Sequence, residues 1–273
     1  MALAFNEEQR SLKETAREFA KNQSPVESFR HLRDSQDTVG YSADIWQSMI
    51  DLGWTGTIFP EAYGGFDFGC MGLAGCFEEL GHTLVSSPLL SSVVLSGSAI
   101  LYAGSEEQKT TLLPQIIAGE KQIALAVDEG AHHNPANIAV TAVCEGNTFI
   151  LNGTKTRVID GNNASLFIIA ARTAGNPGDK HGISLFLMDA QTTGLSIENI
   201  SLIDSRRYTR LSFQDVCIPR SHLLGELHEG FPALDLAIDR GRICLAAEMF
   251  GGMQEVFERT VQYLKERKQF GVL

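Results

Sequence analysis

The sequence holds few of the features that most readily reveal function. Its five cysteines, Cys70, Cys76, Cys144, Cys217 and Cys244, are odd in number and form no CxxC pair. Residues 1–20 lack a basic-then-apolar leader. A disulfide framework and a zinc ribbon are therefore disfavoured, and reduced thiols in the cytoplasm are expected. Basic residues are short as well: 22 Lys and Arg face 33 Asp and Glu, a net charge of −11, with no basic stripe to meet nucleic acid. The longest uncharged run, Thr83 to Ser105, carries seven serines. Ser87-Pro88 in that run reads as a helix start, which leaves about 15 helical residues before Gly104, fewer than the roughly 20 a bilayer span needs. No P-loop and no GxSxG is present, and Gly65, Gly69, Gly72 and Gly75 do not fit GxGxxG. Close helix packing is the expected role of those glycines. His132 and His133 are adjacent, so a strand would point them to opposite faces, and a solvated loop pair is expected rather than a metal site.

What is present is a change of period along the chain. With 273 residues and 44% hydrophobic content, one or two sizeable cores are affordable without metals or disulfides. Residues 1–120 read as helical. Asn6-Glu7-Glu8-Gln9 opens an amphipathic segment carrying Leu12, Ala16, Phe19 and Ala20. Further helices are expected over Asp44–Leu52, Met71–Leu84 and from Ser105 to Gly119. Residues 121–229 switch to short β-branched runs: Gln122–Val127, Ile138–Cys144, Thr148–Asn152, Leu166–Ala171, Ile183–Met188 and Arg210–Phe213, with a hairpin turn at Glu145-Gly146-Asn147. Residues 230–273 return to one long helix, in which Leu234, Ile238, Leu245, Met249, Met253, Phe257, Val261 and Leu264 recur at steps of three and four. The expected class is α+β: an N-terminal all-α domain, a middle β-barrel or sandwich, and the first long helix of an incomplete C-terminal helical domain. An apolar stripe of that length needs neighbours, so a homo- or hetero-oligomer is expected.

Read in order, several short segments resemble the acyl-CoA dehydrogenase family from end to end. They are Pro60-Glu61-Ala62-Tyr63-Gly64-Gly65, Glu78-Glu79-Leu80-Gly81, Gly104 to Lys109, Leu113-Pro114, Leu151-Asn152-Gly153-Thr154-Lys155, Phe213 to Pro219 and Leu224-Gly225-Glu226. In the last helix the matches are Arg242, Ala246-Ala247, Gly251, Tyr263, Arg267 and Gln269-Phe270-Gly271. The resemblance implies an FAD-dependent oxidoreductase of lipid metabolism that converts an acyl-CoA thioester to the trans-2-enoyl-CoA and passes electrons to electron-transfer flavoprotein. It also implies three domains, with FAD between the middle and C-terminal ones. In such enzymes the flavin accepts the hydride and the protein positions it.

Carried over residue by residue, the resemblance places Val127, Asp128, Asn134, Arg157, Val158 and Ile159 at the flavin. It places Arg267 and Phe270 at the cofactor of a neighbouring subunit, and Asp239 and Arg242 near CoA. Three departures stand out. Asp128 replaces a threonine and offers only acceptors to the ring. Ile159 replaces a hydroxyl. Gly241 occupies the position where a minority of relatives keep the catalytic base, and the position used by most relatives lies in the missing domain, so no catalytic residue is assigned within the chain. Two alternatives stay open: a flavin-poor subunit of a heteromeric acyl-CoA dehydrogenase, and an inactive truncated fragment.

Overall fold

The computed structural model describes residues 4–35, 37–202 and 206–270. Six helices build the N-terminal part: α1 (Glu7–Gln23), α2 (Val26–Asp34), α3 (Ala43–Asp51), α4 (Gly69–Thr83), α5 (Gly97–Ala103) and α6 (Glu106–Ile117). α1 and α6 begin with reciprocal capping boxes, Asn6 with Gln9 and Ser105 with Gln108, each satisfying two backbone N–H groups that helix geometry leaves orphaned. The serine-rich run departs from the expected capped helix. Leu89–Ser96 is a π-helical stretch that leads into α5, and Pro88 before it supplies no side-chain cap. Its buried serines explain why. Ser92 Oγ accepts from the Ile123 amide, and Ser96 Oγ donates to the Ile123 carbonyl, so both polar groups of one strand residue are satisfied across the seam between helices and strands.

Eight strands follow: β1 (Ile123–Ala126), β2 (Thr141–Glu145), β3 (Thr148–Ile159), β4 (Leu166–Arg172), β5 (Ile183–Asp189), β6 (Leu195–Ser201), β7 (Arg207–Pro219) and β8 (Leu223–Leu224). The path runs β6-β7-β3-β2-β4-β5-β8, with β1 parallel to β4. β2 and β3 form the expected hairpin, with Glu145 opposite Thr148 and Gly146 at a φ of 62°. β2 meets β4 only at Thr141 and Arg172, so the sheet folds there into two leaves. Phe149 and Leu151 from one leaf pack with Phe167, Ile169 and Phe186 from the other in a core of their own. The period of two then sorts the leaf nearest the helices. Ala124 and Ala126 face this inner core, while Ile123, Leu125 and Val127 face the core shared with α1, α4 and α5.

The last element, α7 (Phe231–Glu266), lies along α4. Its contact face is not the full apolar stripe. Leu234 and Ile238 are buried, but Met249, Met253, Phe257 and Leu264 are more than 60% exposed, and small residues Cys244 and Gly251 carry the packing instead. No helix among the described residues is long and apolar enough to cross a membrane.

Candidate active-site cleft

A cleft of about 230 Å³ opens where four parts of the chain converge. The π-helical stretch contributes Leu90 and Leu95. β1 and the loop after it contribute Leu125, Val127, Asp128 and His133. β3 contributes Arg157 and Ile159, and α7 contributes Ile238, Gly241, Arg242 and Leu245. Five of the ten residues expected from sequence therefore share one lining: Val127, Asp128, Arg157, Ile159 and Arg242.

β3 positions its pair through a bulge. Lys155 pairs with Leu211 and Val158 with Thr209, so three steps on β3 answer two on β7. Arg157 takes up the extra residue with a φ of 51°. One inserted residue reverses which side chains face which core. Val158, expected at the flavin, consequently points into the inner β core and is buried there, whereas Ile159 turns toward the helices. The Arg157 guanidinium donates to the carbonyls of Ala131 (2.6 Å) and Gly130 (2.7 Å), which pins the loop after β1.

Below it, Lys155 is fully buried, donating to Glu129 Oε1 at 2.6 Å and to the Val127 carbonyl at 3.0 Å. Glu129 also accepts from the amides of Ala139 and Val140. Burial holds the Lys155 ammonium down at about 8, against the pull of Glu129.

Asp128 lies between two partners. His133 Nδ1 is 2.9 Å from Oδ1, and an Arg157 nitrogen is 3.8 Å from Oδ2. The carboxylate thus does not face the cleft as an isolated charge. His133 was missed at sequence level because two adjacent histidines in a loop carry no periodic signal. Arg242 donates to Asp239 Oδ1 at 2.6 Å, one turn back along the helix, and both are largely exposed. Asn134 is exposed and outside the lining. Arg267 sits at the C-cap of α7 over the Tyr263 ring, and Phe270 is fully exposed. Twenty-two residues separate Arg267 from Leu245, about 30 Å along a helix, so Arg267 does not reach this cleft within one chain.

Behind the cleft, Asp160 accepts from Ser91 Oγ at 2.6 Å and faces Arg206 and Tyr41. Burial raises its carboxyl to about 6. Because the folded value lies above the unfolded one, the stability from this group is present below about 4 and lost as pH rises through about 6. Asn at 160 keeps the shape, tolerates the φ of 54° and removes the buried charge. Asp160→Asn is expected to be more stable than the wild type at pH 7.5 by up to about 2 kcal/mol, with the gap closing by pH 4. Urea midpoints at the two pH values check this; equal midpoints at pH 7.5 would refute it.

The lining suits a flat aromatic ring. Leu125, Val127, Ile159, Leu90 and Ile238 offer apolar walls, and Arg157 brings a planar cation of the kind that stacks on rings. A volume of about 230 Å³ covers a ring rather than a whole dinucleotide.

Comparison with known proteins bears on the fold as a whole. Residues 6–120 match the acyl-CoA dehydrogenase N-terminal domain, 124–216 the middle domain and 228–273 the C-terminal domain. The chain therefore belongs to the acyl-CoA dehydrogenase family. It is 31% identical to the caffeyl-CoA reductase–Etf complex subunit CarC of Acetobacterium woodii, over 98% of this chain and 71% of that one. It is 30% identical to the short-chain-specific acyl-CoA dehydrogenase of Clostridium acetobutylicum, over 99% and 72%. Among solved structures, butyryl-CoA dehydrogenase from Megasphaera elsdenii superposes with a TM-score of 0.85 at 26% identity, covering 99% of this chain and 72% of that one.

Proposed function

We propose that the chain is the flavin-binding part of an acyl-CoA dehydrogenase-like oxidoreductase, with its ring site in the cleft between β1, β3 and α7. The observation that carries this reading is the convergence of Val127, Asp128, Arg157, Ile159 and Arg242, from three separate segments, on one lining. Bound FAD supplies the hydride acceptor. Of the chain's own groups, Val127 and Ile159 exclude water from the ring, and Arg157 places positive charge where a reduced flavin accumulates negative charge. Arg242, with Asp239, stands at the open side for the CoA portion.

The proton acceptor for the α-carbon is proposed to come from outside these residues. Gly241 offers no side chain at the cleft, and a Cβ there would meet Leu95 Cδ2 at 2.6 Å. The remaining titratable groups on the lining, Asp128 and His133, are engaged with each other. The acceptor is then supplied either by further residues of a longer chain or by a partner subunit. In either case the uncovered Met249–Met253–Phe257 face of α7 is the proposed docking side for further helices, and Arg267 and Phe270 are proposed to serve the cofactor of a neighbouring subunit. Electron-transfer flavoprotein is the proposed electron acceptor; CarC is itself named as a subunit of a complex with Etf. Residues 1–120, 121–229 and 230–273 are the proposed domains.

The purified protein is expected to take up FAD, with an absorbance band at about 450 nm that Arg157→Leu weakens. Protein that stays colourless when supplied with FAD would overturn the flavin reading. Acyl-CoA is expected to bleach the band only when a partner subunit is co-expressed; bleaching by the chain alone would place the base within it.

A further inference from the structure

The charges around the cleft cancel in pairs. Lys155 donates to Glu129 at 2.6 Å, Arg157 lies 3.8 Å from the Asp128 carboxylate, and Arg242 donates to Asp239 at 2.6 Å. Three cations thus face three anions. The π-helical stretch adds only Leu90 and Leu95 to the lining, and α7 adds no charged group there besides Arg242. With a neutral imidazole at His133, these groups sum to zero.

Histidine is the side-chain type that ordinarily gains or loses charge between about pH 5 and 8, and His133 is the one histidine on this lining among the described residues. Its tautomer is set from one side. Nδ1 lies 2.9 Å from Asp128 Oδ1, and a ring nitrogen facing a carboxylate carries the proton, so in the neutral ring Nε2 holds the lone pair. Nε2 has no partner among the described residues. The side chain is 46% exposed, so a solvent proton reaches it, and an imidazolium there finds the Asp128 carboxylate already within hydrogen-bonding distance.

We propose that His133 takes up one proton from solvent when flavin bound in this cleft is reduced, so that the site stays electrically balanced. This role rests on the ring site proposed for the cleft. A hydride from the acyl thioester brings two electrons and one proton to the flavin and leaves it with one negative charge. A buffer acid in solvent gives up the further proton, which bonds to Nε2 and makes His133 an imidazolium paired with Asp128. Leu125, Val127 and Ile159 wall the cleft without screening the new charge, which strengthens the pull on a cation beside it. The coupling is reciprocal: protonated His133 favours reduced flavin as much as reduction favours protonated His133.

Two other groups near the cleft titrate close to this range. Asp160, at about 6, stands behind Ile159 and faces Ser91, Arg206 and Tyr41 rather than the lining, so Asp160→Asn is the control for its contribution. Lys155, at about 8, titrates above the range used below.

The test is the midpoint potential of the full chain loaded with FAD, measured against dyes of known potential from about pH 5 to about pH 7.5. Each proton taken up changes the equilibrium tenfold per pH unit, which is about 30 mV for a two-electron couple. The wild-type potential is expected to fall by about 60 mV per unit of rising pH over at least part of that range, and that of Asp160→Asn to do the same. His133→Gln keeps a donor for Asp128 but does not ionise, and its potential is expected to fall by about 30 mV per unit throughout. A shallow wild-type slope, a steep slope that survives His133→Gln, or a steep slope abolished by Asp160→Asn would each overturn the role of His133 while leaving flavin in the cleft. A chain that shows no flavin band when supplied with FAD would sink the ring site and this role together.

Discussion

Replacing Gly251 with alanine is expected to lower stability by about 2 kcal/mol or more, a fall in Tm of roughly 4–8 °C for a chain of this size. Helix propensity alone points the other way, since alanine in a helix interior is favoured over glycine by about 1 kcal/mol. Geometry decides against propensity here. A Cβ on Gly251 would lie 1.8 Å from the Glu78 carbonyl oxygen, and a Cβ on Gly81 would lie 2.1 Å from that of Glu248. Both obstacles are backbone, which cannot rotate aside as a side chain can, so α4 and α7 must separate. Separation also uncovers Cys244 and weakens the His82–Glu255 contact. The adjacent glycine supplies the control: a Cβ on Gly252 meets nothing nearer than the Gly81 carbonyl oxygen at 3.6 Å. Gly252→Ala is therefore expected to raise Tm by up to a few degrees. Thermal unfolding followed by helical circular dichroism distinguishes the two, and a Gly251→Ala protein as stable as the wild type would remove the close crossing from the account.

How much of this was legible depended on the range of the causes. Asn6 and Ser105 were readable as helix starts because a capping box is complete within four residues. α2 was not, since it begins after Pro25 with no side-chain cap and its nine residues hold only a short stripe, Val26, Phe29 and Leu32, none of it fully buried. β6 was missed for the corresponding reason: its residues are mostly exposed, and pairing with β7 rather than core burial holds it in place. In α7 the period was real, but which part of the stripe is covered depends on α4. Gly251 and Cys244 mark the contact through what they lack in bulk. The cleft shows the same limit. Family motifs pointed to β1, β3 and α7, whereas Leu90, Leu95 and His133 reach it only through the fold. Alternation along β3 cannot place Val158 away from the cleft unless the extra residue at Arg157 is known.

Lys155→Met is expected to cost about 3–5 kcal/mol near neutral pH, the usual penalty for breaking a buried pair from one side. The methionine fills much of the space but leaves the Glu129 carboxylate with only the Ala139 and Val140 amides. It also removes the donor to the Val127 carbonyl, so the loop that carries Asp128 and His133 loses its tie to β3. Pairing it with Glu129→Gln removes the stranded charge and is expected to recover part of the loss. The pH dependence separates this from a simple packing defect. The ammonium titrates at about 8 when folded, against 10.5 for an unperturbed lysine, with Glu129, Asp128 and Arg172 facing it. Between those values the unfolded chain binds more protons than the folded one, so wild-type stability gains from this group as pH rises from about 8 to about 10, by at most about 3 kcal/mol. Lys155→Met lacks that contribution, and the gap between variant and wild type is expected to widen with alkalinity. Urea unfolding at pH 7.5 and pH 9.5 reads the difference. A gap that stays constant or narrows would mean that Lys155 carries its full charge at neutral pH without cost and that the pair under the cleft is not a strained one.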